Sequence, residues 1–202
     1  MKDLIENFMN SFSAHEADIY NEFSLQHELG IFLRNELKDK GYKVQFERNI
    51  KNFLGNSAKE KKSSFVKKEI DIVIFKGENP ENCTEKYAIE LKFPVNGEYP
   101  KQMYKFVQDI KFMEQVKHDA GFDGCCVLTF VNQDAFYNAK EAADGIYKYF
   151  RGETAELKGV IENPVNDSEG KKSFSLKGHY QIQWKKPQGA KNPDLRYYQL
   201  SM

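Results

Sequence analysis

Two strand-like runs, Glu69 to Phe75 and Tyr87 to Phe93, place acids inside segments that otherwise read as buried sheet. Their β-branched and aromatic residues, with Gly77-Glu78-Asn79-Pro80-Glu81-Asn82 between them, predict a hairpin over Glu69–Phe93. Alternation along a strand puts Asp71, Val73 and Phe75 on one face with Ala88, Glu90 and Lys92. Ile70, Ile72, Ile74, Ile89, Leu91 and Phe93 take the other, so both faces call for cover. A loop closing symmetrically about Pro80 and Glu81 sets Asp71 opposite Glu90 and Glu69 opposite Lys92, with Cβ atoms about 4.5–5.5 Å apart. Two carboxylates facing each other on an apolar surface repel unless a shared proton or a cation compensates them. A hard divalent ion held by oxygens is the usual solution.

A chain of 202 residues, 40% hydrophobic and 14% aromatic, has enough apolar material for one sizeable core, and a single domain over 1–202 is expected. Zero formal net charge argues neither for nor against a polyanionic partner, so local charge has to decide. No run of about 18 apolar residues occurs and no apolar segment follows Met1, so neither a membrane span nor secretion is indicated and a cytoplasmic address is expected. Cys83, Cys125 and Cys126 are odd in number and lack CxxC spacing, which disfavours a disulfide framework or a zinc site and reads as reduced thiols.

Along the chain, helices are expected over about 2–13, Ala17–Lys40, Lys101–His118 and Ala135–Phe150. In the second, Leu25, Glu28, Leu29 and Phe32 share one stripe, so Glu28 is an acid on an apolar face. In the third the buried stripe is Met103, Phe106, Val107, Ile110 and Met113, opposite Lys101, Lys105, Gln108 and Lys111. Strands are expected at Lys43–Arg48, at Gly124–Val131, whose continuous apolar run suits a centre buried on both faces, and at 157–162, 173–185 and 195–200. Residues 51–68 hold six lysines against Glu60, and 171–202 hold seven basic side chains against Asp194, with Tyr180, Trp184, Tyr197 and Tyr198 interleaved.

Asp71, the Glu90-Leu91-Lys92 triplet on the next strand, an acid in the preceding helix and this order of elements resemble the PD-(D/E)xK nuclease superfamily, over roughly residues 17–150. The chain departs from that pattern at Ile70, where a proline often precedes the first acid, and in the length of the hairpin turn. The resemblance implies an α/β restriction-endonuclease-like fold, a central mixed β-sheet flanked by helices; outside it, about 151–202 reads from its own residues as a β-rich basic extension of extra strands. The resemblance also implies Asp71, Glu90 and Glu28 as ligands of Mg2+, with Mn2+ able to substitute, and Lys92 as the residue that positions or polarises the attacking water. Gln102 is the nearest match for a contribution from the following helix. The implied activity is phosphodiester hydrolysis with DNA the expected substrate, a chemistry in which carboxylate-bound metal neutralises the reacting phosphate. RNA, and a homodimer as well as a monomer, stay open.

Against this stands the ordinary reading of acids and a lysine as solvated cross-strand pairs, such as Glu69 with Lys92. Val73, Phe75 and Ala88 on the same face as the acids, with Glu28 on an inward stripe, weigh for a metal site. The rival class is a nucleic-acid-binding or protein-interaction module that keeps the fold without turnover. Convergence of Glu28, Asp71, Glu90 and Lys92 at an open cleft separates the two. Lys61, Lys62, Lys67 and Lys68 are candidate phosphate contacts and Trp184 a candidate base-stacking residue. His15, His27, His118 and His179 lack metal or triad spacing and read as surface or capping residues.

Overall fold

The alternation expected of the hairpin is realised in a computed structural model that describes residues 2–54, 64–95, 97–138, 144–152, 156–165 and 173–202. Strands β2 (Glu69–Gly77) and β3 (Cys83–Lys92) are joined through a 3-10 turn at Pro80–Asn82, whose start Asn79 caps by accepting from the Asn82 amide. They pair antiparallel from Lys76↔Glu85 to Ile72↔Ile89, the register that the symmetric loop requires. Around them stand α1 (Lys2–Asn10), α2 (Glu22–Leu37), β1 (Tyr42–Asn49), α3 (Tyr99–His118), β4 (Gly124–Val131), β5 (Glu156–Glu162), β6 (Ser173–Gln181) and β7 (Arg196–Ser201).

The main sheet has the order β1-β2-β3-β4-β7, antiparallel except for β3 and β4, which run parallel with α3 as their crossover. One face is covered by α3: Met103, Phe106, Val107, Ile110 and Met113, all fully buried, meet Val73, Phe75, Ala88, Cys125 and Val127. The other face, Ile72, Ile74, Ile89, Leu91, Cys126, Leu128 and Phe130, is covered by Ile5, Phe8 and Phe12 of the amino-terminal segment and by Leu25, Leu29, Leu33 and Leu37 of α2. β4 is buried on both sides, as its apolar run requires. Cys125 and Cys126 are free thiols there, and burial pushes both up to about 12.

Four expectations are corrected. The second helix is shorter than Ala17–Lys40: an Asn21/Ser24 capping box starts it at Glu22, and left-handed Gly41 follows the 3-10 turn after it. Ala135–Phe150 is not one helix; its described residues form 3-10 turns at Asp134–Phe136 and Tyr147–Tyr149, with positive-φ Gly145 between them, while 139–143 lie outside the described residues. The segment 151–202 is no appendage: β7 completes the main sheet against β4, and only β5 and β6 make a separate two-stranded sheet, whose Leu157, Ile161 and Leu176 join the α3-side core. Ile70 packs on the α3 side rather than with Ile72 and Ile74. Among the described residues no helix is long and apolar enough to cross a membrane.

The small sheet is tied to α3 by one buried carboxylate. Glu114 accepts from the Lys177 and Gly178 amides, both at 2.7 Å, and from the Tyr180 hydroxyl at 3.0 Å. Removing it takes the acceptor from both amides and leaves the Tyr180 hydroxyl only the Met202 sulfur at 3.7 Å, and a donor stranded in a buried setting costs about 1–3 kcal/mol. Glu114→Ala is therefore expected to lower unfolding free energy by about 3 kcal/mol in urea denaturation, with amide exchange in β6 accelerated more than in β3 or β4.

Candidate active site

The sheet forks at Asp71. The β2–β3 ladder ends at Ile72↔Ile89, after which β2 stays with β1 (Arg48↔Ile70, Asn49↔Glu69) and β3 stays with β4 (Glu90↔Val127, Lys92↔Thr129). A backbone amide left unpaired inside such a fork is costly, and the Asp71 side chain answers it by accepting from the Leu91 amide at 2.6 Å. On the other flank the Asp71 carbonyl accepts from Gln26 Nε2 at 2.9 Å, beside Glu47, the one non-glycine with positive φ (50°) among the described residues. The strand is thus interrupted on both sides at one residue, and Ile70 changes face there.

Four carboxyl groups and two ammoniums meet at the fork. Glu90, fully buried, is bonded by Lys67, which also reaches Asp109 of α3 at 2.9 Å. Lys92 holds both oxygens of Glu22 at 2.9 and 3.0 Å and lies 3.9 Å from Asp109. Glu22, the first residue of α2, also accepts from the Phe93 amide at 3.0 Å. Lys67 is delivered by α3: Gln115 bonds the Val66 amide and the Ser64 carbonyl, and Gln108 Nε2 donates to the Val66 carbonyl.

Burial raises the Asp71 carboxyl to about 7; Lys67, the Leu91 amide and Lys92 pull it back and Asp109 adds to the rise. Burial likewise pushes Asp109 up against the opposing pull of Lys67 and Lys92. Desolvation alone would depress Lys92, but Asp109, Glu22 and Asp71 outweigh it and hold its ammonium above the ordinary range.

Of the residues singled out from sequence, Asp71, Glu90 and Lys92 come together and Glu28 does not. Glu28 bonds His15 at 3.3 Å and His27 at 3.2 Å. It lies six positions beyond Glu22, about 120° around the helix, and Glu22 is the α2 acid in the cluster. Glu69 is exposed, and Lys92 turns to Glu22 and Asp109 instead of to it. Gln102 is buried, but the α3 member of the cluster is Asp109, two turns further on. Lys67 is spent on Glu90 and Asp109 rather than offered to a phosphate; Lys68 is exposed, and Lys61 and Lys62 lie outside the described residues. Trp184 is no open platform: its Nε1 donates to the Phe150 carbonyl at 2.7 Å and its ring packs edge-on against Tyr198 at 4.9 Å.

Glu22 and Asp109 carry no assignment from the sequence, and Lys67 carries one only as a phosphate contact, not as the partner of Glu90 and Asp109. For Asp109 the signal was present, an acid set among Phe106, Val107 and Ile110 on the buried stripe.

Two observations bear on whether this donor set fits a divalent ion. Glu90 Oε2 and Asp109 Oδ2 are buried carboxylate oxygens without a hydrogen-bond partner, and four acids face two lysines, a deficit of two positive charges when all are ionised. Yet among the described residues no three Asp, Glu, His or Cys side chains stand as a coordination group, because the Lys67 and Lys92 ammoniums bridge the acids. The donor chemistry is of the kind that suits a hard cation; in the arrangement seen, the Lys67 ammonium stands between Glu90 and Asp109. A cavity of about 520 Å3 lined by Ile146, Lys148, Tyr149, Val160 and Glu162 shares no residue with the cluster. No family model, curated protein or solved structure matches the chain.

The raised Asp71 value fixes a pH dependence. In metal-free protein the unfolded chain loses this proton near 3.8 and the folded chain near 7, so the folded state binds more protons across that window and stability falls as pH rises through it. Asp71→Asn keeps an acceptor for the Leu91 amide and removes the titration. Urea denaturation between pH 4 and 7.5 is expected to show a shallower loss of stability with pH in Asp71→Asn than in wild type; parallel profiles would refute the assignment.

Proposed function

We propose that the chain is a divalent-metal-dependent nuclease that hydrolyses phosphodiester bonds, with DNA the expected substrate. What carries this reading is the fork itself, where Asp71, Glu90, Asp109 and Glu22 gather around Lys67 and Lys92 with two buried carboxylate oxygens unpartnered. Asp71, Glu90 and Asp109 would hold the ion, Mg2+ or Mn2+, with Glu22 at its outer side. Bound there, it would lower the pKa of a water and neutralise developing charge on the phosphate. The protein's own residues have separable tasks. Asp71, fixed by the Leu91 amide, presents its carboxylate in one orientation. Lys92, kept charged by Asp109 and Glu22, supplies a preorganised ammonium for the attacking water or the transition-state charge. Lys67 neutralises Glu90 and Asp109 until a stronger cation takes them.

That last task separates this reading from a fold kept for binding alone, in which Lys67 would stay in place. Lys67→Met is expected to destabilise the metal-free protein, since breaking a buried pair strands its acids, and to bind Mn2+ or Ca2+ at least about tenfold more tightly in calorimetric titration. No heat of binding in either protein, together with no metal-induced rise in melting temperature, counts against the metal site.

Cleavage is tested on plasmid, linear and single-stranded DNA and on RNA, with Mg2+, Mn2+, Ca2+ or chelator. Lys92→Met, which keeps the apolar stem, is expected to lose about 100-fold or more in rate while retaining Ca2+-supported binding. Glu22→Gln is expected to lower the rate, and Glu28→Gln, outside the cluster, to leave it at the wild-type level. A Lys92→Met protein as fast as wild type, free of contaminating nuclease, removes the most specific residue of the assignment.

A further inference from the structure

Among the described residues the two most exposed large apolar side chains are Phe23 (76%) and Tyr20 (71%), and they bracket Glu22. Exposed Val95 follows two residues after Phe93, whose amide Glu22 holds. Single exposed hydrophobes are ordinary; two aromatic rings on either side of a site carboxylate are not scattered.

The backbone that carries them is fixed. Tyr20 N and Asn21 N donate to Ser24 Oγ at 2.9 and 3.0 Å, Asn21 Oδ1 accepts from Ser24 N, and Ile19 and Leu25 anchor the segment in the core. The cluster opens on this side. Glu90 and Asp109 are sealed, whereas the Glu22 side chain is about one-third exposed.

Positive charge from the carboxyl-terminal part of the chain gathers at Glu16, four residues ahead of Tyr20. The Lys191 and Asn192 amides bond the Glu16 carboxylate at 2.8–3.0 Å, and exposed Lys186 and Lys191 lie within electrostatic reach of it, just ahead of Tyr20 in the chain.

Flat apolar faces, split by a carboxylate and backed by lysines, suit a polyanion with π-faces better than an apolar protein surface. We propose that Tyr20 and Phe23 form a stacking platform for unpaired bases, with Lys186 and Lys191 on the strand's phosphates, so that the substrate is a nucleic-acid strand with unpaired bases next to the scissile bond. Bases inside an intact duplex have no free face to offer, which makes single strands, flaps and frayed ends the class the rim selects. The inference rests on the nuclease reading above.

The test uses the full chain with Ca2+ in place of Mg2+, so that binding is read without cleavage. Probes are a single-stranded oligonucleotide containing 2-aminopurine and the same sequence as a closed hairpin duplex, followed by anisotropy and by quenching of the base analogue. Wild type is expected to bind the single strand more tightly than the duplex and to quench the analogue. Tyr20→Ala/Phe23→Ala is expected to lose about tenfold or more in single-strand affinity, together with the quenching, at unchanged melting temperature. Tyr20→Trp/Phe23→Trp should retain both, and Tyr20→Leu/Phe23→Leu, apolar without a π-face, should not.

If wild type binds and cleaves but the alanine and leucine variants bind equally well, the platform is refuted and the nuclease reading stands. If wild type neither binds nor cleaves any nucleic acid, the nuclease reading fails and the platform with it. If light scattering shows self-association that the alanine variant loses while its oligonucleotide binding is unchanged, the rim joins copies of the chain and the proposal is overturned.

Discussion

The hydrogen bond from the Leu91 amide to the Asp71 carboxylate is the joint at which the sheet opens without losing its backbone pairing. Beyond Ile72↔Ile89 the two central strands part, and a buried amide without a partner there would cost about as much as several exposed contacts return. A side-chain acceptor at this position lets β3 follow β4 while β2 follows β1. Gln26 does the corresponding work on the other flank, where Glu47 sits in a backbone conformation that non-glycine residues seldom adopt. The same residue that closes the fork therefore has its carboxylate fixed in orientation before anything else binds.

That arrangement forces the electrostatics. Asp71, Glu90 and Asp109 lie in a layer otherwise made of Val73, Ala88, Phe106 and Val107, where each isolated charge would be unfavourable by several kcal/mol. Lys67 and Lys92 offset part of this, and the remaining imbalance appears as an Asp71 carboxyl raised to about 7 and as carboxylate oxygens on Glu90 and Asp109 with nothing bonded to them. Lys67 reaches in because Gln108 and Gln115 of α3 grip the chain at residues 64–66. Buried Gln115 of α3, which a core helix would not otherwise want, is explained by that grip.

Much of the frame was legible because burial has a period. The stripe of α3, the two-faced burial of β4 and the alternation of β2 and β3 follow from spacing alone, and with them the meeting of Asp71, Glu90 and Lys92. The errors share a cause: periodicity reports which face is buried, not where along an element a site lies. The spacing of Leu25 and Leu29 puts Glu28 on the inward stripe, yet the cluster meets α2 at its first turn, and the Asn21-x-x-Ser24 cap that fixes that turn is what delivers Glu22. Ile70 was assigned by alternation across the very residue where the strand is interrupted. Lys67 and Trp184 were read from composition, as members of a basic run and a basic tail, while their roles come from contacts across more than thirty residues of chain that no local pattern encodes.

The direction of access follows from the same gradient of burial. Glu90 has no exposed surface, Asp109 almost none, and Lys67, Lys92, Glu22 and the half-buried Asp71 carry what exposure the cluster has. If the site takes a cation as proposed, one arriving from solvent would meet Glu22, Asp71 and the ammoniums before Glu90 and Asp109, and each ammonium displaced would uncover negative charge for the ion to neutralise. A phosphate arriving by the same route brings charge of the opposite sign, which the released lysines can accept. On the proposed function, entry past the first turn of α2 would favour metal and phosphate together over either alone, because the pair would exchange partners with the two internal ion pairs instead of stranding a charge in the core.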